Sequence, residues 1–284
     1  MSRQETEIEN DDKFINLLWD DILFVKILPA LSIKELFILR SLSTKYKHLI
    51  DSFFSQMKYL NLSKYGNLFG VEAFKVLTDK CSQLKTIVFT NCQWLTDELI
   101  IPFFKNNLHL KKIVLNHCKN LTSVCLQPVI ILCRLESLSL AGCKWLTVGC
   151  LQSITLHQRR LVEVDLSETH SVSDVTAINN FLKLSVRLKS LNLSKLLCVD
   201  DLTMSIIAHS AKDLEMLNVT GCQRVTSHGV WFVTEYCHKL KAVVCFGCPL
   251  VNHFSMIYEK NHQNLQIFSD NRQPFPIRFP RINV

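Results

Sequence analysis

The sequence predicts an α/β solenoid, with a parallel sheet on its concave face and helices on its convex face, preceded by a small three-helix unit. Three observations carry that expectation. A short apolar phrase recurs at near-constant spacing through most of the chain. A residue of helix-capping type follows each copy, and the stretch before the first copy is helical in pattern but outside the period.

The phrases are LKTIVFTNC from Leu84, LKKIVLNHC from Leu110, LESLSLAGC from Leu135, LVEVDLSET from Leu161, LKSLNLSKL from Leu188, LEMLNVTGC from Leu214 and LKAVVCFGC from Leu240. A degenerate copy, MKYLNLSKY, starts at Met57, and a shortened one, LQIF, at Leu265. Successive spacings from Leu84 are 26, 25, 26, 27, 26, 26 and 25 residues. Self-similarity at roughly 20–29 residues with the form L-x-x-L-x-L-x-x-N/C is the leucine-rich-repeat signature.

Each position in the phrase has a physical task. Ile87 and Phe89, Leu138 and Leu140, and Leu191 and Leu193 alternate with other residues, which turns one face of a short strand inward. The cysteine that closes most phrases (Cys92, Cys118, Cys143, Cys222, Cys248) is small, apolar and a weak donor. It is expected to stack in a column where the chain turns away from the strand, with Thr169 and Leu196 standing in for it in two repeats. Past the column stand Thr96, Thr122, Thr147, Ser173, Asp200, Thr226 and Asn252, all of types preferred at helix N-caps. An apolar helix follows each. Every strand–helix unit then has a face that only a neighbour can cover, so stacking stabilises the array. The pattern resembles the cysteine-containing class of leucine-rich repeats.

Composition narrows the function. No apolar run approaches the roughly 20 residues that span a bilayer. The opening MSRQETEIENDDK is polar and acidic, unlike a secretory signal. The expected location is therefore the cytoplasm, with the nucleus as a second compartment, and no membrane partner is expected. The twelve cysteines are accordingly read as reduced, buried apolar side chains. Sequons at Asn61, Asn120, Asn192 and Asn218 are read as by-products of the recurring phrase. Net charge is +7, but residues 1–21 carry seven acidic against two basic side chains, −5, leaving +12 on the remainder. Those basic residues are scattered through the repeats and not clustered with stacking aromatics, which argues against nucleic acid. With seven glycines, no phosphate-cradling loop, no nucleophile elbow and no His-Glu-x-x-His, catalysis and cofactor binding have no candidate. Cys245-Phe-Gly-Cys248 has the spacing of a metal or redox pair but lacks a second pair. The repeat frame makes Cys245 an inward strand residue and Cys248 a column residue.

Residues 14–54, FINLLWDDILFVKILPALSIKELFILRSLSTKYKHLIDSFF, read as three short helices punctuated at Pro29 and Ser32 and again from Ser41 to Thr44. Their apolar residues outnumber what some 40 residues bury among themselves, so part of that surface is expected to meet a partner. This stretch resembles an F-box. Leu17-Leu18-Trp19-Asp20-Asp21-Ile22-Leu23 matches the opening, Ile33-Lys34-Glu35-Leu36 the middle and Leu42-Ser43-Thr44-Lys45-Tyr46 the end. Leu18 stands where that family usually has Pro, and Tyr46 where Trp is common. With the repeats behind it, nearly the whole chain is similar to the F-box/leucine-rich-repeat family.

The resemblance implies a non-catalytic substrate receptor of a Skp/cullin/F-box ubiquitin ligase. A Skp-type adaptor, and through it a cullin/RING ligase, would be held by Leu18, Asp21, Ile22, Leu23, Ile27, Leu28, Leu31, Leu36, Leu39 and Tyr46. The repeats would select proteins for ubiquitination and degradation, and Smurf-type ligases are one substrate the likeness suggests. A protein-interaction scaffold whose N-terminal helices merely cap the solenoid is the alternative.

Concave solenoid surfaces are the usual binding face, so substrate is expected on the outward strand positions. These include Ser139, Asn192, Asn218 and the one doubly acidic step, Glu163 and Asp165, expected as the electrostatic centre. Trp94 and Trp145, two residues past the column, either pack on the neighbouring repeat or anchor a partner. The expected division is a disordered acidic N-terminus at 1–13, an F-box at 14–54, a solenoid of about eight to nine repeats at 55–268 and a Pro/Arg-containing tail at 269–284. The tail is read either as disordered or as lying extended across the last repeats, with Phe275 and Phe279 covering the open end of the array.

Overall fold

The computed structural model describes residues 19–66, 68–132, 134–251 and 265–270. Three helices lead: α1 (Trp19–Ile27, of π type), α2 (Ile33–Leu42) and α3 (Thr44–Gln56). Strands and helices then alternate: β1 (Tyr59–Asn61), α4 (Val71–Lys80), β2 (Thr86–Val88), α5 (Asp97–Asn106), β3 (Lys112–Val114) and α6 (Gln127–Leu132). The pattern continues through β4 (Ser137–Ser139), α7 (Val148–His157), β5 (Glu163–Asp165), α8 (Val175–Leu184), β6 (Ser190–Asn192) and α9 (Asp201–Ser210). Last come β7 (Met216–Asn218), α10 (Ser227–Tyr236), β8 (Ala242–Val244) and β9 (Gln266–Phe268). Among the described residues the nine strands form one parallel sheet in sequential order. The chain is a leucine-rich-repeat solenoid.

Register follows the sequence repeat. Leu60, Ile87, Ile113, Leu138, Val164, Leu191, Leu217, Val243 and Ile267 lie opposite one another from strand to strand. The degenerate copy at Met57 supplies β1 and the shortened copy at Leu265 supplies β9.

Where the chain leaves each of β2 to β8, one residue takes a left-handed backbone: Asn91, His117, Gly142, Glu168, Lys195, Gly221 and Gly247, with φ from 56° to 73°. That conformation aims the N–H forward. Asn91 N donates to Asn116 O at 2.9 Å, His117 N to Ala141 O at 2.8 Å and Lys195 N to Thr220 O at 2.7 Å. The next residue, the column position, reaches backward. Cys118 Sγ donates to Phe89 O at 3.0 Å, Cys143 to Leu115 O at 3.1 Å, Cys222 to Leu193 O at 3.3 Å and Cys248 to Val219 O at 3.1 Å. Buried carbonyls need partners, so the column cysteines are donors as well as apolar filler. Burial pushes the Cys222 and Cys245 thiols up to about 12. Of the left-handed glycines, Gly142 is the one a side chain could not replace quietly. A Cβ there would lie 2.1 Å from His117 Nδ1.

On the helix side, Thr147 accepts from Cys150 N, Asp200 from Thr203 N and Thr226 from His228 N at 3.0–3.2 Å. Thr96 holds the N-cap position without a side-chain cap bond. Thr122 caps a short 3-10 turn, Ser123–Leu126, that leads into α6. The expected cap Ser173 is displaced by Asp174, which accepts from Thr176 N at 2.8 Å. The repeat from Leu161 to Leu188 is the 27-residue one, and its extra residue falls between column and cap. Asn252 lies outside the described residues. Two buried amides replace backbone partners between repeats. Asn107 Oδ1 accepts from Leu84 N at 3.1 Å, and Gln158 Oε1 from Leu135 N at 2.9 Å.

The N-terminal helices are fused to the first repeats. Ser32 and Glu35 form a reciprocal capping box at the start of α2. Asp51 on α3 meets Arg40 of α2 at 2.6 Å and Lys80 of α4 at 3.4 Å. Burial pushes the Asp51 carboxyl up, but these two cations more than offset it and hold it below the usual range. A chain of rings runs from Phe54 through Phe37, Phe69 and Trp94 to Phe74 and Phe103, at centroid separations of 5.0–6.4 Å. One apolar core extends from Leu23 to Val251. The expected boundary at 54/55 therefore falls inside continuous packing, and α3 itself runs two residues past it.

Candidate functional site

Four of the ten positions expected to hold an adaptor are interior. Leu23, Leu28, Leu36 and Tyr46 are 0%, 0%, 1% and 5% exposed and pack within the N-terminal unit. A partner would reach Leu23 and Tyr46 only by unpacking the helices, which corrects the expectation for these two, whereas Leu28 and Leu36 form part of the wall of a cavity beside β1. Ile22, Ile27, Leu31 and Leu39 are half-buried. Leu18 and the side chain of Asp21 lie outside the described residues. Among the described residues, the large apolar side chains of this unit that stand in solvent are Val25, Ile38 and Leu42, at 65%, 51% and 59% exposure. Ile38 and Leu42 are an i,i+4 pair on the face of α2 away from its buried Ile33 and Leu36. Helical phase could have found them, because the inward residues of a helix fix the outward ones. Between these helices and edge strand β1 lies a cavity of about 570 Å³, lined by Phe24, Leu31, Ile33, Phe53, Tyr59 and Tyr65 among others.

On the concave floor the expected substrate residues have local partners. Ser139 is 0% exposed, and its hydroxyl donates to Asn116 Oδ1 at 2.7 Å. It is a buried link between repeats, not the open floor position expected. Glu163 receives Lys112 Nζ at 3.4 Å and Ser137 Oγ at 2.9 Å. Asp165 bends back on its own chain, accepting from Ser167 N at 2.9 Å and Ser167 Oγ at 2.7 Å. Burial pushes its carboxyl above the usual range, against the pull of Ser167, Asn192 and His117. Asn192 accepts from Ser194 N at 3.1 Å and Asn218 from Thr220 N at 2.9 Å. Asp165, Asn192 and Asn218 thus close Asx turns at the strand ends. The doubly acidic step is internally matched and not a bare anionic centre.

Trp94 is packed between Phe69 and Phe74, with centroids at 5.3 and 5.0 Å, and its Nε1 is buried without an acceptor among the described residues. Trp145 Nε1 donates to Cys118 O, one repeat back, at 2.8 Å. Both indoles belong to the stacking between repeats. Cys245 and Cys248 point their thiols at different neighbours. The first donates to Phe268 O at 3.3 Å and the second to Val219 O at 3.1 Å. Phe275 and Phe279 lie outside the described residues.

No family model matches the chain. Among solved structures it is similar to a chain of the yeast Rad7 and Elc1 complex, at 19% identity and a TM-score of 0.57, covering 85% of this chain and 72% of that one. An internalin from Listeria monocytogenes has 14% identity and a TM-score of 0.48 over 84% of this chain and 61% of its own. The leucine-rich-repeat-containing protein LegL7 from Legionella pneumophila has 10% identity and a TM-score of 0.47 over 77% of each chain. At such identities the likeness to the yeast chain is one of fold.

Proposed function

We propose that the chain is the substrate-recognition subunit of a Skp/cullin/F-box ubiquitin ligase. Its N-terminal helices dock a Skp-type adaptor and its repeats hold proteins to be ubiquitinated. The chain itself performs no catalysis and works in the cytoplasm and nucleus. One observation carries this reading: on α2 of a three-helix unit built into the end of the solenoid, Ile38 and Leu42 stand in water as neighbours one helical turn apart. Exposed apolar residues gathered on one small unit mark a protein contact. The F-box-like phrases lie in that same unit, and the similar yeast chain was solved as part of a two-protein complex. The opening phrase and Trp94-Leu95-Thr96 further resemble Jetlag-like members of the family, which brings Smurf-type ligases forward as substrates.

Deleting residues 14–54 would remove Phe37 and Phe54 and uncover the Phe69 end of the core, so the test keeps the whole chain. In Ile38→Asp with Leu42→Asp, adaptor co-purification is expected to be lost while thermal unfolding stays where it was, because a desolvated charge without a partner opposes docking. Adaptor retained by a folded double variant would move the contact off α2. If the unaltered chain failed to bind the adaptor, the scaffold reading would replace this one. That second reading has its own support in the ring chain through Phe54, Phe37 and Phe69, which covers the first repeat.

A further inference from the structure

Along the edge where each helix hands back to the next strand, charges pair. Lys111 meets Glu136 at 2.8 Å, Lys239 meets Asp213 at 2.6 Å, and Glu215 is shared by Lys189 and Lys241. Between these pairs lie Arg134, Arg159 and Arg160, all exposed, with no acceptor or ion-pair partner among the described residues. They line two adjoining cavities of about 250 and 320 Å³ that have Arg134 and Arg160 in common.

The first cavity is walled by Arg134, His157, Gln158, Arg159 and Arg160 and contains no carboxylate. Gln158 is committed elsewhere, its Oε1 to Leu135 N and its Nε2 to Ile130 O. The second adds His109, Lys111, Glu136 and the exposed Leu108, and Glu136 is the acid that Lys111 already holds. Three guanidinium groups gathered near one carboxylate, Glu136, which Lys111 already engages, leave positive charge that the chain does not neutralise. Their planar forks match phosphate oxygens two at a time.

We propose that this edge binds a phosphorylated segment of a partner protein. The phosphate sits among Arg134, Arg159 and Arg160, and a neighbouring apolar side chain of the same segment lies against Leu108. Nucleic acid fits less well, because neither cavity offers a Phe, Tyr or Trp ring for a base to stack on. The carboxylates at Glu136 on one side and at Asp213 and Glu215 on the other also confine the unpaired charge to a short stretch. The proposal is independent of adaptor docking and holds whether or not the chain serves a ubiquitin ligase.

The test presents the immobilised full chain with libraries of phosphoserine, phosphothreonine and phosphotyrosine peptides randomised at flanking positions. Their unphosphorylated counterparts and a single-stranded DNA oligonucleotide serve as rivals. Phosphorylated peptides are expected to be retained, enriched in an apolar residue near the phosphate, and their unphosphorylated twins to wash through. In Arg134→Ala with Arg160→Ala, affinity is expected to fall by about tenfold or more, since contacts to charged groups are the strong ones. Arg134→Lys with Arg160→Lys keeps the charge, removes the fork and should fall between. Lys75→Ala on α4 should change nothing. Equal retention of both libraries, retention of neither, an unchanged double-alanine variant or tighter retention of the DNA would each overturn the proposal.

Discussion

Glu163 on the concave floor and Arg160 on the helix-to-strand edge stand three residues apart in sequence, yet their charges meet different fates. Glu163 is closed in by Lys112 and Ser137, and its neighbour Asp165 is turned onto Ser167. Arg160 faces two other arginines across open cavities. Geometry and sequence together account for the contrast. Paired strands lie about 4.8 Å apart, so a donor on one repeat finds an acceptor on the next or the one beyond. The edge keeps that spacing, and Lys111 pairs with Glu136 and Lys241 with Glu215 there; Arg134, Arg159 and Arg160 stay unmet because the sequence places no free carboxylate beside them. Polarity on the floor is therefore largely structural, and unmet charge on the edge is free for a partner.

If that contrast is right, floor and turn substitutions should be felt in stability and edge substitutions should not. The largest expected effect is Gly142→Ala, which adds the left-handed backbone cost to a collision with His117. A loss of about 2–3 kcal/mol is expected from denaturant midpoints. Gly221→Ala brings its Cβ to 3.3 Å from the Lys195 side chain and no nearer than 3.7 Å to the Lys195 backbone, and should lose about 1–2 kcal/mol. Equal losses would show that the His117 ring is not the wedge.

Asp165→Ala, which orphans the Ser167 donors, should cost about 1–3 kcal/mol. Asp165→Asn keeps the turn, as Asn192 and Asn218 do, and removes a desolvated charge. Because burial raises the native pKa above the unfolded one, the charged form is penalised at neutral pH and the penalty fades as the group protonates. Asn should therefore raise Tm at about pH 7 and lose that advantage below about pH 4. A pH-independent difference would exclude this cause.

Cys143→Ser should cost about 1 kcal/mol, since a shorter hydroxyl reaches Leu115 O less well. In the unaltered chain burial pushes this thiol up, so labelling by a maleimide should require unfolding. Rapid native labelling would contradict the column. The smallest effect belongs to Arg134→Ala with Arg160→Ala, expected within about 0.5 kcal/mol. A larger loss would mean that the edge arginines, like the floor acids, serve the fold.

The strands, the register and the column were legible because one nine-residue phrase recurs every 25 to 27 residues with its apolar positions intact. Ser173 misled because the count from Thr169 could not show where a 27-residue repeat stores its extra residue. The floor misled for a different reason. Asn61-Leu-Ser63, Asn192-Leu-Ser194 and Asn218-Val-Thr220 look like open polar surface or sequons, but in each the Asn side chain accepts from the backbone N–H two residues on. That Asx-turn signal was present in the sequence. Lys112 with Glu163, 51 residues apart, was not, since only stacking across an intervening strand brings them together. Likewise the F-box-like phrases located the N-terminal unit, while burial of Leu23, Leu28, Leu36 and Tyr46 depended on how three helices close on one another.

The forward N–H at each turn, and the backward thiol wherever the column holds cysteine, bear on how such a chain changes over generations. Excising one complete period leaves each forward donor and each backward donor facing an equivalent acceptor, whereas a partial excision misaligns both sets at once. Duplication and loss of whole units are thus the genetic changes this architecture tolerates with least disruption. Each such event lengthens or shortens the arc by one strand, about 4.8 Å, so the size of object the chain can embrace varies in steps.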